Sequence, residues 1–146
     1  MYIGISQIVG MSQIKGLLKS KAKGLSPRYA SPEAFKMMEE RDQNQAATLE
    51  DTVIDIYAFG IILWELIERK IPWEGKSYSE IRECVLNGER PEICKENECS
   101  DDKLISTMLL TLRNAWFHDP TQRPTFHQMS QDLQLVYYLQ HPTILE

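Results

Sequence analysis

The chain has 146 residues, 42% of them hydrophobic and 25% charged, and a formal net charge of −5. That is the size and make-up of one globular domain. The acidic balance argues against nucleic-acid partners, whose phosphates are neutralised by Lys and Arg, and no apolar run approaches the ~20 residues of a membrane span.

Met1 to Gly10 carry apolar side chains but no basic n-region and no clear cleavage site, so no signal peptide is expected. Lys15, Lys19, Lys21 and Lys23, interspersed with Gly10, Gly16 and Gly24, predict an exposed basic loop. Ser12 and Ser20 on that loop are candidate phosphosites: a phosphate there would pair with the lysines and order the segment. The alternative is a plain solvated loop.

Pro27 and Pro32 punctuate an irregular stretch. Pro32 suits the first turn of a short helix, where its missing N–H costs nothing, and that helix is expected from about Glu33 to Glu40. Residues 41–50 are polar and read as a surface loop.

Residues 52–68 give the strongest helix. Ile54, Tyr57, Ala58, Phe59, Ile61, Ile62, Leu63, Trp64, Leu66 and Ile67 put apolar side chains on almost every face, which predicts a buried central helix. Asp55 and Glu65 inside it argue against a membrane span. Ile71-Pro72-Trp73-Glu74-Gly75 reads as a turn. A helix over about 79–86 follows, ended by Asn87-Gly88 in a left-handed cap.

Residues 92–100 read as loop. Ser100 is expected to cap a helix over 101–118, where Leu104, Met108, Leu112, Ala115 and Trp116 recur at spacings of three and four. Thr125-Phe126-His127-Gln128 has the form of a capping box. It opens a last helix over about 126–139, with Phe126, Met129, Leu133, Val136 and Tyr137 on one stripe. Three cysteines, Cys84, Cys94 and Cys99, form no framework or metal spacing. Free thiols in a reducing, intracellular compartment are expected, most naturally the cytoplasm, with no metal site.

Four blocks together resemble the C-terminal half of a eukaryotic protein kinase domain. They are Ser26-Pro27-Arg28-Tyr29-Ala30-Ser31-Pro32-Glu33, the run from Asp55 to Leu66, Ile71-Pro72-Trp73, and Asp119-Pro120-Thr121-Gln122-Arg123-Pro124. The resemblance is strongest to the tyrosine-kinase-like group of Ser/Thr kinases. It implies a mainly α fold, the C-terminal helical lobe of the kinase fold. Residues 1–33 would be the activation segment and substrate-side loop, 34–140 the helical core, and 141–146 a tail.

The resemblance also assigns roles. Ser31-Pro32-Glu33 stands where the family has Ala-Pro-Glu, and its Glu33 would pair with Arg123 to staple the substrate loop to the far helices. Ser26, Pro27, Arg28 and Tyr29 would form the substrate-facing loop, with Ser26 favouring Ser/Thr specificity. Asp55 matches the aspartate whose carboxylate accepts backbone N–H groups of the catalytic loop. Leu25 departs from the usual Gly.

Tyr2-Ile3-Gly4-Ile5-Ser6 resembles the opening of an activation segment, with Tyr2 in place of the Mg²⁺-binding Asp. A phenol is a poor substitute for a carboxylate on a hard cation. The sequence holds no H-R-D, no Gly-rich phosphate loop and no V-A-I-K lysine. No catalytic residue and no cofactor are therefore expected in these residues themselves; ATP and Mg²⁺ would belong to the parent family, on sequence upstream of Met1. Two readings stay open: part of a Ser/Thr kinase acting on protein substrates, or a catalytically inactive module that binds protein partners.

Overall fold

The computed structural model describes residues 26–40 and 51–140, and no strand occurs among them. Pro27–Tyr29 form a 3-10 turn. Six α-helices follow: α1 Pro32–Glu40, α2 Asp51–Glu68, α3 Tyr78–Leu86, α4 Lys95–Glu98, α5 Lys103–Ala115 and α6 Phe126–Gln140, with a second 3-10 turn at Pro120–Gln122 before α6.

Helix α2 is the axis of the lobe. It packs against α5, α5 packs against α6 and α4, and α1 packs against α3. Tyr57, Ile61, Leu63, Trp64 and Ile67 of α2 join Phe35, Ile81, Val85, Leu109, Leu112 and Trp116 in one buried cluster. Gly60 makes the α2–α5 approach possible, because a Cβ there would stand 3.0 Å from Ala115 Cβ and 3.2 Å from the Leu112 carbonyl oxygen.

The burial of α2 is less complete than its apolar sequence predicts. Ile62 and Leu66 are exposed, and Asp55 shares their face of the helix. Near-uniform apolarity marked the helix as central but did not say which stripe other elements would cover. Phe59, expected in the core, is half-buried and meets Phe126 edge-on.

Local signals set the helix ends. Ser77 and Glu80 form a reciprocal capping box on α3, and Gly88 takes φ +85° after its last turn. Thr125 and Gln128 form the expected box on α6. Helix α5 is shorter than predicted. Asp102 rather than Ser100 caps it, accepting from Leu104 N at 2.7 Å, and it closes at Ala115. The Ser100 hydroxyl instead accepts from Asp102 N, which holds the preceding turn. Residues 92–100, read as loop, contain the single turn α4, because its carbonyls and amides close locally around Cys94 and Cys99. On α6 only Met129 of the expected stripe is fully buried; Leu133 and Val136 are half-buried, and Phe126 and Tyr137 are exposed.

Candidate functional site: the anchored loop 26–33

The loop 26–33 is tied down at four points. Ser31 is fully buried, and its hydroxyl accepts from Ala34 N at 3.3 Å, so it serves the N-terminal turn of α1. Pro32 occupies the first position of α1, as expected of a residue without an N–H.

The second tie is the ion pair. Arg123 Nη2 donates to Glu33 Oε2 at 2.9 Å, Nη1 donates to Glu33 Oε1, and both residues are buried. Such a planar two-pronged geometry is the strong form of a carboxylate–guanidinium contact. Arg123 spends its remaining donors on the chain around it. Nε donates to the Phe117 carbonyl at 2.9 Å and Nη1 to the Val53 carbonyl at 2.8 Å. One guanidinium thus joins α1, the start of α2 and the α5–α6 connection.

The Tyr57 ring forms the floor of this cluster. The guanidinium carbons of Arg90 and Arg123 lie 5.0 and 5.2 Å from its centroid, within cation–π range. Burial pushes the Tyr57 phenol up to about 12. Arg90 is pulled below the usual guanidinium range, chiefly by desolvation. Arg90 also donates Nε to the Trp116 carbonyl at 2.9 Å, which locks the segment after α3 onto the end of α5.

The third tie runs from Tyr29 to α2: its hydroxyl donates to Glu65 Oε2 at 2.8 Å. Desolvation and then the Glu65 carboxylate raise the Tyr29 phenol above its ordinary value. The fourth is Arg28, whose Nη1 donates to the Pro72 carbonyl. Ser26 itself is exposed at the entrance of the 3-10 turn.

The structure therefore brings together Glu33, Arg123, Arg28 and Tyr29, all singled out in the sequence, and adds Glu65, Tyr57 and Arg90, which were not. Glu65 had a signal: a carboxylate within an apolar helix needs a donor. Tyr57 and Arg90 had none, since a cation–π contact is written in distance, not in spacing. Asp55 is exposed on the face of α2 that carries Ile62 and Leu66. Ser12, Ser20 and Tyr2 lie outside the described residues. Among the described residues no group of three or more His, Cys, Asp or Glu could hold a metal ion, and no helix is long and apolar enough to cross a membrane.

Comparison with known proteins identifies a family. Residues 3–133 match the family described as protein tyrosine and serine/threonine kinase. Among similar proteins, a probable LIM domain-containing serine/threonine-protein kinase of Dictyostelium discoideum is 34% identical over 108 residues, covering 74% of this chain and 14% of that protein. The dual specificity protein kinase shkC of the same organism is 31% identical over 113 residues, covering 76% of this chain and 19% of that protein. Receptor-interacting serine/threonine-protein kinase 4 of Mus musculus is 29% identical over 133 residues, covering 88% of this chain and 15% of that protein. The chain spans less than a fifth of the length of these three relatives. With a family match over most of its length and the paired Glu33–Arg123 geometry in place, the chain belongs to the protein tyrosine and serine/threonine kinase family.

Proposed function

We propose that these residues are the substrate-side, C-terminal part of a Ser/Thr protein kinase domain, whose parent activity is transfer of the ATP γ-phosphoryl group to a protein hydroxyl. The observation that carries the reading is the anchoring of loop 26–33. A loop held through Glu33, Tyr29 and Arg28 at once keeps a fixed shape, and a fixed shape is what positioning an incoming polypeptide hydroxyl requires. In this reading Ser26 and its neighbours Pro27, Arg28 and Tyr29 face the substrate. Asp55, exposed on α2, offers its carboxylate to catalytic-loop amides.

Among the described residues no group of three or more His, Cys, Asp or Glu could hold a metal ion, and no step is assigned to ATP or Mg²⁺ through them. We expect the 146 residues alone to transfer no phosphate, for want of the phosphate-cradling loop, the lysine and the catalytic Asp.

A second reading, a non-catalytic partner-binding module, is favoured by Tyr2 at the position of the metal-binding Asp. One chimera separates the two: the upstream kinase half of an active relative joined to this chain, assayed with radiolabelled ATP and a protein substrate. A kinase lobe in good order gives activity once Tyr2→Asp is made, and Ser26→Ala then lowers it. A folded chimera that stays silent with Tyr2→Asp overturns the first reading in favour of the second.

A further inference from the structure

Where α1 meets α3, an open phenol lies beside a surface ion pair. Tyr78 is the first residue of α3, and its ring meets Phe35 of α1 edge-on, with centroids 5.8 Å apart. Its hydroxyl donates to Met38 Sδ at 3.5 Å. The next residue of α1, Glu39, accepts from Arg82 Nη2. Arg82 stands four residues after Tyr78 on α3, so the two side chains share a face of that helix. Tyr78 and Arg82 thus reach consecutive residues of α1, which puts the phenol oxygen and the guanidinium on one patch.

The phenol has a poor partner, because a thioether is a weak acceptor. It is also accessible, in a residue 47% exposed. Other described tyrosines lack one or other of these features. Tyr57 is 1% exposed, and the Tyr29 hydroxyl is bound to the Glu65 carboxylate. Tyr137 and Tyr138 are open, but α6, which carries them, holds no Lys or Arg. Tyr78 combines an accessible oxygen with a cation placed to hold a charge on it. The acid nearest to it in α3, Glu80, is drawn back onto the cap by the amide and hydroxyl of Ser77.

We propose that Tyr78 is a phosphorylation site whose phosphate takes Arg82 away from Glu39. A tyrosine kinase acting in trans brings the ATP. The Tyr78 oxygen bonds to the γ-phosphorus, the bond from that phosphorus to the β–γ bridging oxygen breaks to release ADP, and the phenolic proton passes to the base of that kinase. The product carries close to two negative charges and three acceptor oxygens. A guanidinium makes the same two-pronged contact with phosphate as with carboxylate, and the more highly charged partner wins the competition. The start of α3 adds to this, since its free N–H groups favour an anion. Glu39 is left without its cation and facing a new negative charge, so the tie between α1 and α3 opens. Helix α1 also carries Glu33, the anchor of loop 26–33. Neither the site nor the exchange of partners depends on the catalytic reading above.

The test uses the full chain, a soluble tyrosine kinase and ATP, with phosphopeptide mapping over time. Tyr78 should be labelled ahead of Tyr137 and Tyr138, and Tyr78→Phe should remove that phosphopeptide alone. The second measurement is the rate at which a tyrosine phosphatase removes the Tyr78 phosphate. Arg82→Ala should speed removal by about two- to fivefold, the range of an exposed charge pair. Glu39→Gln, which frees Arg82 from its present partner, should slow it. If Arg82→Ala unfolds the chain, Glu39→Gln alone decides. Labelling of Tyr78 no faster than that of Tyr137 and Tyr138 overturns the proposal, as does a removal rate that neither variant changes, or one that Glu39→Gln raises.

Discussion

Glu33 and Arg123 are 90 residues apart in the chain and meet as a buried, two-pronged ion pair, with Arg123 Nη2 donating to Glu33 Oε2 at 2.9 Å. The pair closes the loop 26–33 onto the end of the lobe, and every other donor of Arg123 is aimed at backbone carbonyls nearby. Arg123→Ala leaves the Glu33 carboxylate buried without its cation. We expect a loss of about 3–5 kcal/mol in denaturant unfolding. Arg123→Lys should recover only part of this, since an ammonium cannot reproduce the planar fork. A loss below about 1 kcal/mol for the alanine variant would show that the pair is exposed in solution.

Gly60→Ala tests the closeness of α2 and α5. Helix propensity favours alanine over glycine by about 1 kcal/mol, but the new methyl would meet Ala115 Cβ at 3.0 Å and backbone at 3.2 Å. Overpacking of this kind costs about 1–3 kcal/mol, so the variant should be destabilised on balance. Adding Ala115→Gly removes the clashing carbon and should restore part of the loss. If Gly60→Ala alone raises the thermal midpoint, the helices are further apart than described.

Tyr57→Phe is expected to be neutral or stabilising by up to about 1–2 kcal/mol. The phenol oxygen is buried without a partner among the described residues, and removing such a group relieves a desolvation cost. The ring and both guanidinium contacts remain. The pH dependence follows the same atom. Its folded value is raised from 10.0 to about 12, so the protonated phenol contributes stability below pH 10 that is lost as pH rises through about 12. Alkaline unfolding curves should therefore diverge, with the Phe variant less sensitive to base.

Glu68 governs the acid side. Its buried carboxylate accepts from Cys94 N and Asn97 Nδ2, each at 3.0 Å, and sits 3.6 Å from Lys70. Burial alone would raise its pKa, but the bonds from Asn97 and Cys94 outweigh that and lower it below 4.5. A lowered folded value means stability that is present above pH 4.5 and is lost as pH falls below it. Urea midpoints of wild type and Glu68→Gln should differ most near neutrality and converge as pH falls below 4.5. A constant gap across that range would mean the carboxylate does not titrate differently on unfolding.

The sequence by itself determined the order of the longer helices and their capping signals, and its resemblance to the kinase family implied the Glu33–Arg123 partnership. The helices and their caps depend on periodicity and short spacings, which are local: the capping boxes at Ser77–Glu80 and Thr125–Gln128 and the Gly88 cap are written within a few residues. What only the tertiary structure decided is which faces were covered and which distant groups met. The apolar sequence of α2 could not say that Phe59 would be half-buried while Ile62 and Leu66 stayed exposed, because burial depends on the neighbours a helix finds. Helix α5 ended at Ala115 rather than three residues later, where its carbonyls turned to Arg90 and Arg123 instead of continuing the ladder. The Tyr29–Glu65 bond and the two guanidiniums on Tyr57 join residues from separate elements. Their existence depends on three-dimensional proximity, for which the linear chain carries no period.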